Sequence, residues 1–537
     1  MRSHRLGAAA ALLGLLAAAC GGDDGSSDDA AATASTAATD TSAVSDTTAA
    51  PATTGGTGTT AKPGEEPASM EEWEALWADQ RAAIVERIEK ETTRSADGKK
   101  IEGPAGYVLD LSACPAGWSD TEGLTDTEIK VGQTLPQSGA AADYGNVGRA
   151  FTAVFDHYNE AGAFKDSAGK TRTINYIQKD DNYDPARTIP LVDELLDSER
   201  VFAMSTLGSA PALKTYDKLN ERCVPQPFVQ SGHPAWADPV NHPWTTGMQL
   251  AYTTEAVMWG AFVDQRFDEL SADDGKVVVA SLVSNNDFGK AYDVAFKAYV
   301  DQSEHAEDIE YVSETIEPTA PTVTDPMTTL KSKDPDVFIA MVFSSFCTQA
   351  VIEAAQNGMH DTADYLFQPS VCPGNTYVKA DAVGGDGAAS DGWWQVNAGG
   401  KDINDPSQAT DPYIAWSREV LEEHGIDPSS SSTLGSGIYF AWSWVQAVQI
   451  AGELEGGLSR TNLMLAVHSM DMTHPYLLPG IKFNMDGTKD AYFTEGGLLQ
   501  KWSSTKQLWE PQGNVIDLSG KSKNCEYDQS SGLCKSS

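Results

Sequence analysis

Gly208-Ser209-Ala210-Pro211 is the stretch of this chain best equipped for chemistry. It follows Val201-Phe202-Ala203-Met204, an apolar run that reads as a buried strand. Glycine lets the backbone turn sharply there, and proline suits the first turn of a helix. Ser209 therefore stands at or next to an N-cap. Its hydroxyl and the free amides of a helix end favour a carboxylate or similar anion. Without a ligand the same serine would cap only its own helix. Ser231-Gly232-His233 closes another apolar run, Pro227 to Gln230. Small residues let backbone groups approach a ligand, and His233 either donates to a carboxylate or lines a rim.

Other chemistries find less support. Gly435-Ser436-Gly437 lacks the spacing of a nucleophile elbow, and no His-Glu-x-x-His occurs. Asp486, Gly487 and Asp490 lack the full series of a calcium loop and read as a hairpin turn. The nine histidines are not clustered. No enzymatic activity, no metal and no cofactor are expected.

Cysteine usage points outside the cytoplasm. Cys114, Cys223, Cys347, Cys372, Cys525 and Cys534 form an even set without Cys-x-x-Cys spacing, which favours disulfides over zinc. Proximity in sequence favours Cys525–Cys534, and Cys347–Cys372 would span one strand-helix-strand unit. Cys114–Cys223 is the remaining pair.

The N-terminus supports the same compartment. Arg2 and Arg5 precede a run from Leu6 to Ala19 of only Leu, Ala and Gly. Such a run is too short to span a bilayer and suits a signal peptide. Small residues lead into Cys20, as in a lipobox, where the thiol receives a diacylglycerol. Two acyl chains suffice for stable anchoring. Residues 1–20 are thus expected to be a lipoprotein signal peptide. Residues 21–68, almost entirely Ala, Thr, Ser, Gly, Asp and Pro, are expected to be a flexible stalk.

The body is large and acidic. A chain of 537 residues with 77 acidic and 37 basic side chains carries a formal charge of −40. Such a surface repels nucleic acid and anionic lipid headgroups. Residues 69–125 form an N-terminal extension. Trp73, Leu76, Trp77, Ile84 and Ile88 recur at helical spacing after Ser69, which with Glu72 fits a capping box. This helix is expected to pack on the body or on a partner, with a small hairpin at 98–111 after it. From Ile129 strands and helices alternate: strands near 129–135, 173–178, 201–204 and 227–230, with helices at 148–161, 186–198 and 211–221. A second series follows, with helices at 249–266, 288–302 and 347–358 and strands at 276–283, 336–342 and 365–368. The mostly apolar helix at 437–453 should be buried. The pattern implies an α/β protein of two lobes, each a mainly parallel sheet flanked by helices, with a ligand site beyond the strand ends.

Ile129 to Gly145, Asp180 to Thr188, Ser205 to Leu213, Val224 to Gly232, His242 to Gly247, Asn285 to Lys290 and Leu478 to Asn484 resemble, in order, segments of the branched-chain-amino-acid-type substrate-binding proteins of ABC importers. The resemblance implies a two-lobed type I periplasmic-binding-protein fold with three crossover segments. Lobe one would comprise 126–246 plus 393–476, lobe two 247–392 plus 477–512, and 513–537 a tail with a small disulfide loop. It implies an extracytoplasmic monomer that captures a small solute and delivers it to permease subunits. The alternative is a ligand-sensing or interaction lipoprotein of the same fold. By this resemblance the ligand contacts are Tyr144, Gly208, Ser209, Ala210, Ser231, Gly232, His233, Phe288, Ser345, Phe346 and Ser370. The family places an acid in the loop that here reads Pro369-Ser-Val-Cys-Pro-Gly-Asn375, which has none. A buried ammonium needs a counter-charge. The expectation is therefore a small carboxylate with an apolar or aromatic body, or a neutral amide-like solute, rather than a standard α-amino acid.

Overall fold

The computed structural model describes residues 66–535. The expected signal peptide, Cys20 and residues 21–65 lie outside the described residues. The end of the expected stalk is already tied to the body, since Pro67 is buried and Glu66 pairs with Lys401 at 2.9 Å.

The N-terminal extension folds onto the body. Met70–Glu91 is a helix whose cap Ser69 accepts the Glu72 amide proton at 3.2 Å. The Glu72 carboxylate reaches back one residue further than a capping box requires, to the Ala68 amide at 2.8 Å. Trp73, Trp77, Ile84 and Ile88 are buried. Each such side chain is worth roughly 1.5–3 kcal/mol when fully buried, which explains why this face does not stay in water. Trp77 meets Trp442 edge-on at 5.4 Å, and its indole N–H donates to the Thr473 carbonyl at 3.1 Å. The expected hairpin gains a strand: Thr93–Arg94, Lys100–Glu102 and Val108–Asp110 form a three-stranded antiparallel sheet.

In the first lobe Thr171–Asp180, Glu128–Leu135 and Ala203–Thr206 lie parallel and adjacent. Gln226–Val229 continues beyond them, joined through a bridge between Leu207 and Gln230 and paired with Thr245–Gly247. The helix Gly145–Glu160 packs against the buried helix Thr433–Glu453. They approach so closely at Gly437 that a Cβ there would lie 2.6 Å from Ala150 Cβ. The expected helix at 211–221 is two short pieces, Ser209–Leu213 and Tyr216–Glu221.

The second lobe holds an eight-stranded sheet. Ile309–Ile316, Val277–Ser284, Val337–Met341, Tyr365–Gln368 and Trp394–Asn397 are parallel in that spatial order. Gly496–Ser503 and Leu508–Pro511 then add antiparallel. The edge strand Ile309–Ile316 escapes a sequence reading because Glu310 and Glu314 interrupt its apolar pattern, a common way to protect an edge.

Three segments cross between the lobes up to the strand Gly496–Ser503, as the resemblance implies, and the tail crosses once more, from Ile516–Asp517 on the second sheet to Cys525 beside Ala237 of the first lobe. The second and third crossings lie further along the chain than expected. Trp394–Asn397 pairs with Tyr365–Gln368, so residues 393–397 belong to the second sheet and not to lobe one. Phe483, Met485 and Phe493 pack in the first lobe's core, so the chain returns only near Gly496 and not at 477. In both places strand pairing and core burial decide.

Three disulfides form, Cys114–Cys223, Cys347–Cys372 and Cys525–Cys534, the pairing expected from the sequence. The tail is docked rather than loose. Ile516–Asp517 pairs with the strand Gly496–Ser503, and the Cys525 amide donates to the Ala237 carbonyl at 2.8 Å.

Candidate ligand-binding site

Between the lobes lies a cavity of about 180 Å³. One part is an aromatic box. Tyr144 and Tyr183 come from the first lobe, and Tyr252, Phe288 and Phe343 from the second. Tyr183 stacks on Phe343 across the interface at 4.8 Å, and Tyr252 meets Phe288 edge-on at 5.1 Å. A polar part continues past Asn375 toward Asn397, Asp402 and Gln408.

The strand ends position these groups. After Glu128–Leu135 the chain turns through a 3₁₀ segment that ends at Tyr144. The Tyr144 hydroxyl donates to the Val371 carbonyl of the other lobe at 3.0 Å and accepts from the Ser344 amide at 3.2 Å. Ser344 sits at φ 50°, and its own hydroxyl donates to the Ala140 carbonyl at 2.9 Å. Next to Tyr144, Asp143 accepts from Tyr377 at 2.8 Å and from Thr433 at 2.6 Å. The lobes are therefore closed on each other. After Thr171–Asp180 the buried Asp181 accepts the Tyr183 amide proton and the Thr188 hydroxyl proton, both at 2.9 Å. Burial lifts the Asp181 carboxyl to about 6 against those hydrogen bonds. This clamp holds Tyr183 at φ 58°, aimed over Gly208. Gly208 has φ 99°, and a Cβ there would stand 2.3 Å from the Tyr183 ring. Glycine is required on both counts.

Of the expected contacts, Tyr144, Gly208, Phe288 and Ser370 line this cavity. Ser209, Ala210 and Ser231 are buried behind it, with the Ser209 and Ser231 hydroxyls 2.9 Å apart. Gly232 instead lets the crossover pass, since a Cβ there would lie 2.3 Å from the Leu250 carbonyl oxygen. His233 is an N-cap whose Nδ1 accepts the Ala235 amide proton at 3.2 Å, and Tyr527 of the tail covers it edge-on at 4.7 Å. Burial drives its pKa down to about 3, so it stays neutral. Ser231, Gly232 and His233 line a separate, much smaller cavity. Ser345 is exposed at the start of the helix Ser345–Gln356, and Phe346 is core. The cavity-facing ring of that turn is Phe343.

The 369–375 loop has no acid of its own, but the fold brings two to it. Asp402 lies against Gly374, where a Cβ would meet its Oδ2 at 2.4 Å, and burial raises its carboxyl above the usual range. Glu255, fully buried on the helix Tyr252–Gln265, accepts from the Ser370 amide and hydroxyl, each at 2.7 Å. Reading the loop by itself misses both. Among the described residues no group of three His, Cys, Asp or Glu side chains is placed to hold a metal ion, and no helix is long and apolar enough to cross a membrane.

No curated protein matches this sequence. Solved structures do. A branched-chain amino acid ABC transporter protein from Thermus thermophilus with bound valine superposes with a TM-score of 0.62 at 15% identity, over 73% of this chain and 97% of that one. A fatty acid ABC transporter substrate-binding protein from Thermomonospora curvata gives 0.58 at 15%, over 75% and 95%. A solute-binding protein from Rhodopseudomonas palustris in complex with 3,4-dihydroxybenzoic acid gives 0.58 at 17%, over 74% and 100%. A family model described as periplasmic binding protein matches residues 128–504, from the first strand of lobe one to the end of Gly496–Ser503. Over that span, two lobes, three crossings and an interlobe cavity belong together: the chain is a member of the periplasmic binding protein family.

Proposed function

We propose that the protein captures a small organic solute with an apolar or aromatic body between its lobes and hands it to the permease of an ABC importer. The observation that carries this reading is the aromatic box itself. Tyr144, Tyr183, Tyr252, Phe288 and Phe343 converge from both lobes on one cavity, so a solute there would contact both at once. Such contact converts binding into closure. The similar proteins, one with bound valine, one of a fatty acid ABC transporter and one in complex with 3,4-dihydroxybenzoic acid, fit the same range of apolar-bodied solutes. The protein acts as a monomer and returns its ligand chemically unchanged. Export and lipidation at Cys20 tether it to the extracytoplasmic face of the membrane, in keeping with the apolar run from Leu6 to Ala19.

The test is Gly208→Val, which forces a side chain into the Tyr183 ring and closes the box. Equilibrium dialysis against labelled amino acids, keto acids, aromatic carboxylates and amides should show uptake by the wild type and none by the variant. The recovered solute should be unchanged. Equal uptake by both proteins would contradict the site, and a converted solute would contradict transport.

A further inference from the structure

Glu255 is a charge that the cleft does not touch, yet it governs a group that does. Its side chain is fully buried on the helix Tyr252–Gln265. Its Oε1 accepts the Ser370 amide proton at 2.7 Å, and its Oε2 accepts the Tyr292 hydroxyl proton at 2.6 Å and the Ser370 hydroxyl proton at 2.7 Å. The titratable groups facing it are Tyr292, from the helix Asp287–Val300, and Tyr252 on its own helix. Its three donors are all neutral.

An ionised carboxylate only accepts hydrogen bonds. Ser370 has one hydroxyl proton and one amide proton, and Glu255 takes both. What Ser370 offers the cavity it lines is therefore a lone pair. A solute oxygen placed there would oppose that lone pair with a buried negative charge just behind it. A solute N–H or O–H would complete a chain of hydrogen bonds that ends on the carboxylate, where charge assistance strengthens each link.

We propose that Glu255 sets the polarity of Ser370, so that this corner of the cavity accepts a hydrogen-bond donor of the solute (hydroxyl, amide N–H or ammonium) and rejects a carbonyl or carboxylate. The proposal rests on the cleft being the solute site. Glu255 acts through Ser370 and is a positioning residue. Protonated Glu255 gains a donor of its own, which releases Ser370 to donate. Burial holds its pKa at about 7, so both states lie in an accessible range.

Matched probes test this by calorimetry on the purified protein: leucine against 4-methyl-2-oxopentanoate, phenylalanine against phenylpyruvate, and 4-hydroxybenzoate against 4-methoxybenzoate. At about pH 8.5, well above the Glu255 pKa, the donor member of a binding pair should be favoured about tenfold, the worth of one good hydrogen bond. At about pH 5.5 that preference should shrink in the wild type. In Glu255→Gln the new amide donates to Ser370, so the preference should be small or inverted at both pH values. A wild-type preference for the acceptor member would overturn the proposal. So would a donor preference that neither pH nor Glu255→Gln alters, and the pH comparison decides even if the variant does not fold. Binding without donor preference overturns the polarity alone. Failure of all six probes to bind overturns the cleft reading for these solutes and the proposal with it.

Discussion

The Tyr144 hydroxyl of the first lobe donates to the Val371 carbonyl of the second at 3.0 Å, while the Ser344 amide donates back to it at 3.2 Å. One phenol thus joins two loops of the opposite lobe, and both bonds exist only when the lobes are together. Tyr144→Phe removes them and little else. A net contribution of about 1 kcal/mol for each of the two hydrogen bonds makes the expected loss of solute affinity about thirtyfold. Small-angle scattering should show the unliganded variant more open than the wild type. Unchanged affinity would mean that closure does not depend on this bridge.

Trp77 carries the docking of the N-terminal helix. It is fully buried, stacks on Trp73 at 5.5 Å and contacts Tyr413 and Trp442. Trp77→Ala should destabilise the protein by about 3–5 kcal/mol, the usual cost of such a cavity, as read by chemical denaturation. A loss near zero would mean the helix is not part of the cooperative unit.

How much of this is legible in the sequence depends on range. The strand-helix alternation around 129–230 and the pairs Cys525–Cys534 and Cys347–Cys372 can be read from local pattern or proximity, whereas Cys114–Cys223, 109 residues apart, follows only as the pair left over. Gly208 follows from the residues themselves, a glycine at a strand end before a helix, whereas Tyr144, Phe288 and Ser370 follow only from the resemblance. Tyr183 follows from neither, since its left-handed backbone depends on the Asp181 side chain two residues away. His233 does not reach the cavity, and the hairpin closed by Cys525–Cys534, which comes back from the far end of the chain, covers it. The acids near the 369–375 loop are not legible there, because Glu255 and Asp402 come from other elements.

The disulfides should differ in worth. Cys114–Cys223 closes 109 residues and Cys525–Cys534 closes 9. Chain-entropy scaling gives about 5 kcal/mol for the first and about 2.6 for the second. Paired Cys→Ser variants, compared by denaturant midpoint, should rank in that order. The reverse ranking would show that the tail hairpin holds more of the fold than its loop length implies.

Acid stability should report the buried histidines. His474 is buried, receives the Tyr476 amide at 3.1 Å and lies 3.1 Å from the Tyr439 carbonyl. Burial lowers its pKa to about 3. Because the folded value lies below the unfolded one of about 6.5, the stability it contributes is complete above that pH and is lost as pH falls toward 3. Glu255 works in the opposite sense. Its folded value of about 7, raised by burial, exceeds the ordinary value of 4.5 that holds in the unfolded chain, so its contribution is complete below 4.5 and is lost as pH rises through 7. Between pH 6.5 and 5, His474→Gln should lose about 2 kcal/mol less than the wild type. Glu255→Gln should flatten the change between 4.5 and 7 instead. Parallel pH profiles for all three proteins would rule out these assignments.

The most direct test of solute capture between the lobes is a thermal-shift screen of the purified wild type beside Phe343→Ala, which opens one wall of the aromatic box. The panel would hold aliphatic and aromatic amino acids, their keto acids, aromatic carboxylates, amides and short peptides. A solute at about a hundred times its dissociation constant adds about 2.7 kcal/mol to the folded state, so a true ligand gives a clear rise in melting temperature. The expected result is a rise for at least one apolar-bodied solute in the wild type and its loss in Phe343→Ala. A wild type that no solute stabilises, or a rise of the same size in the variant, would contradict capture in this cleft.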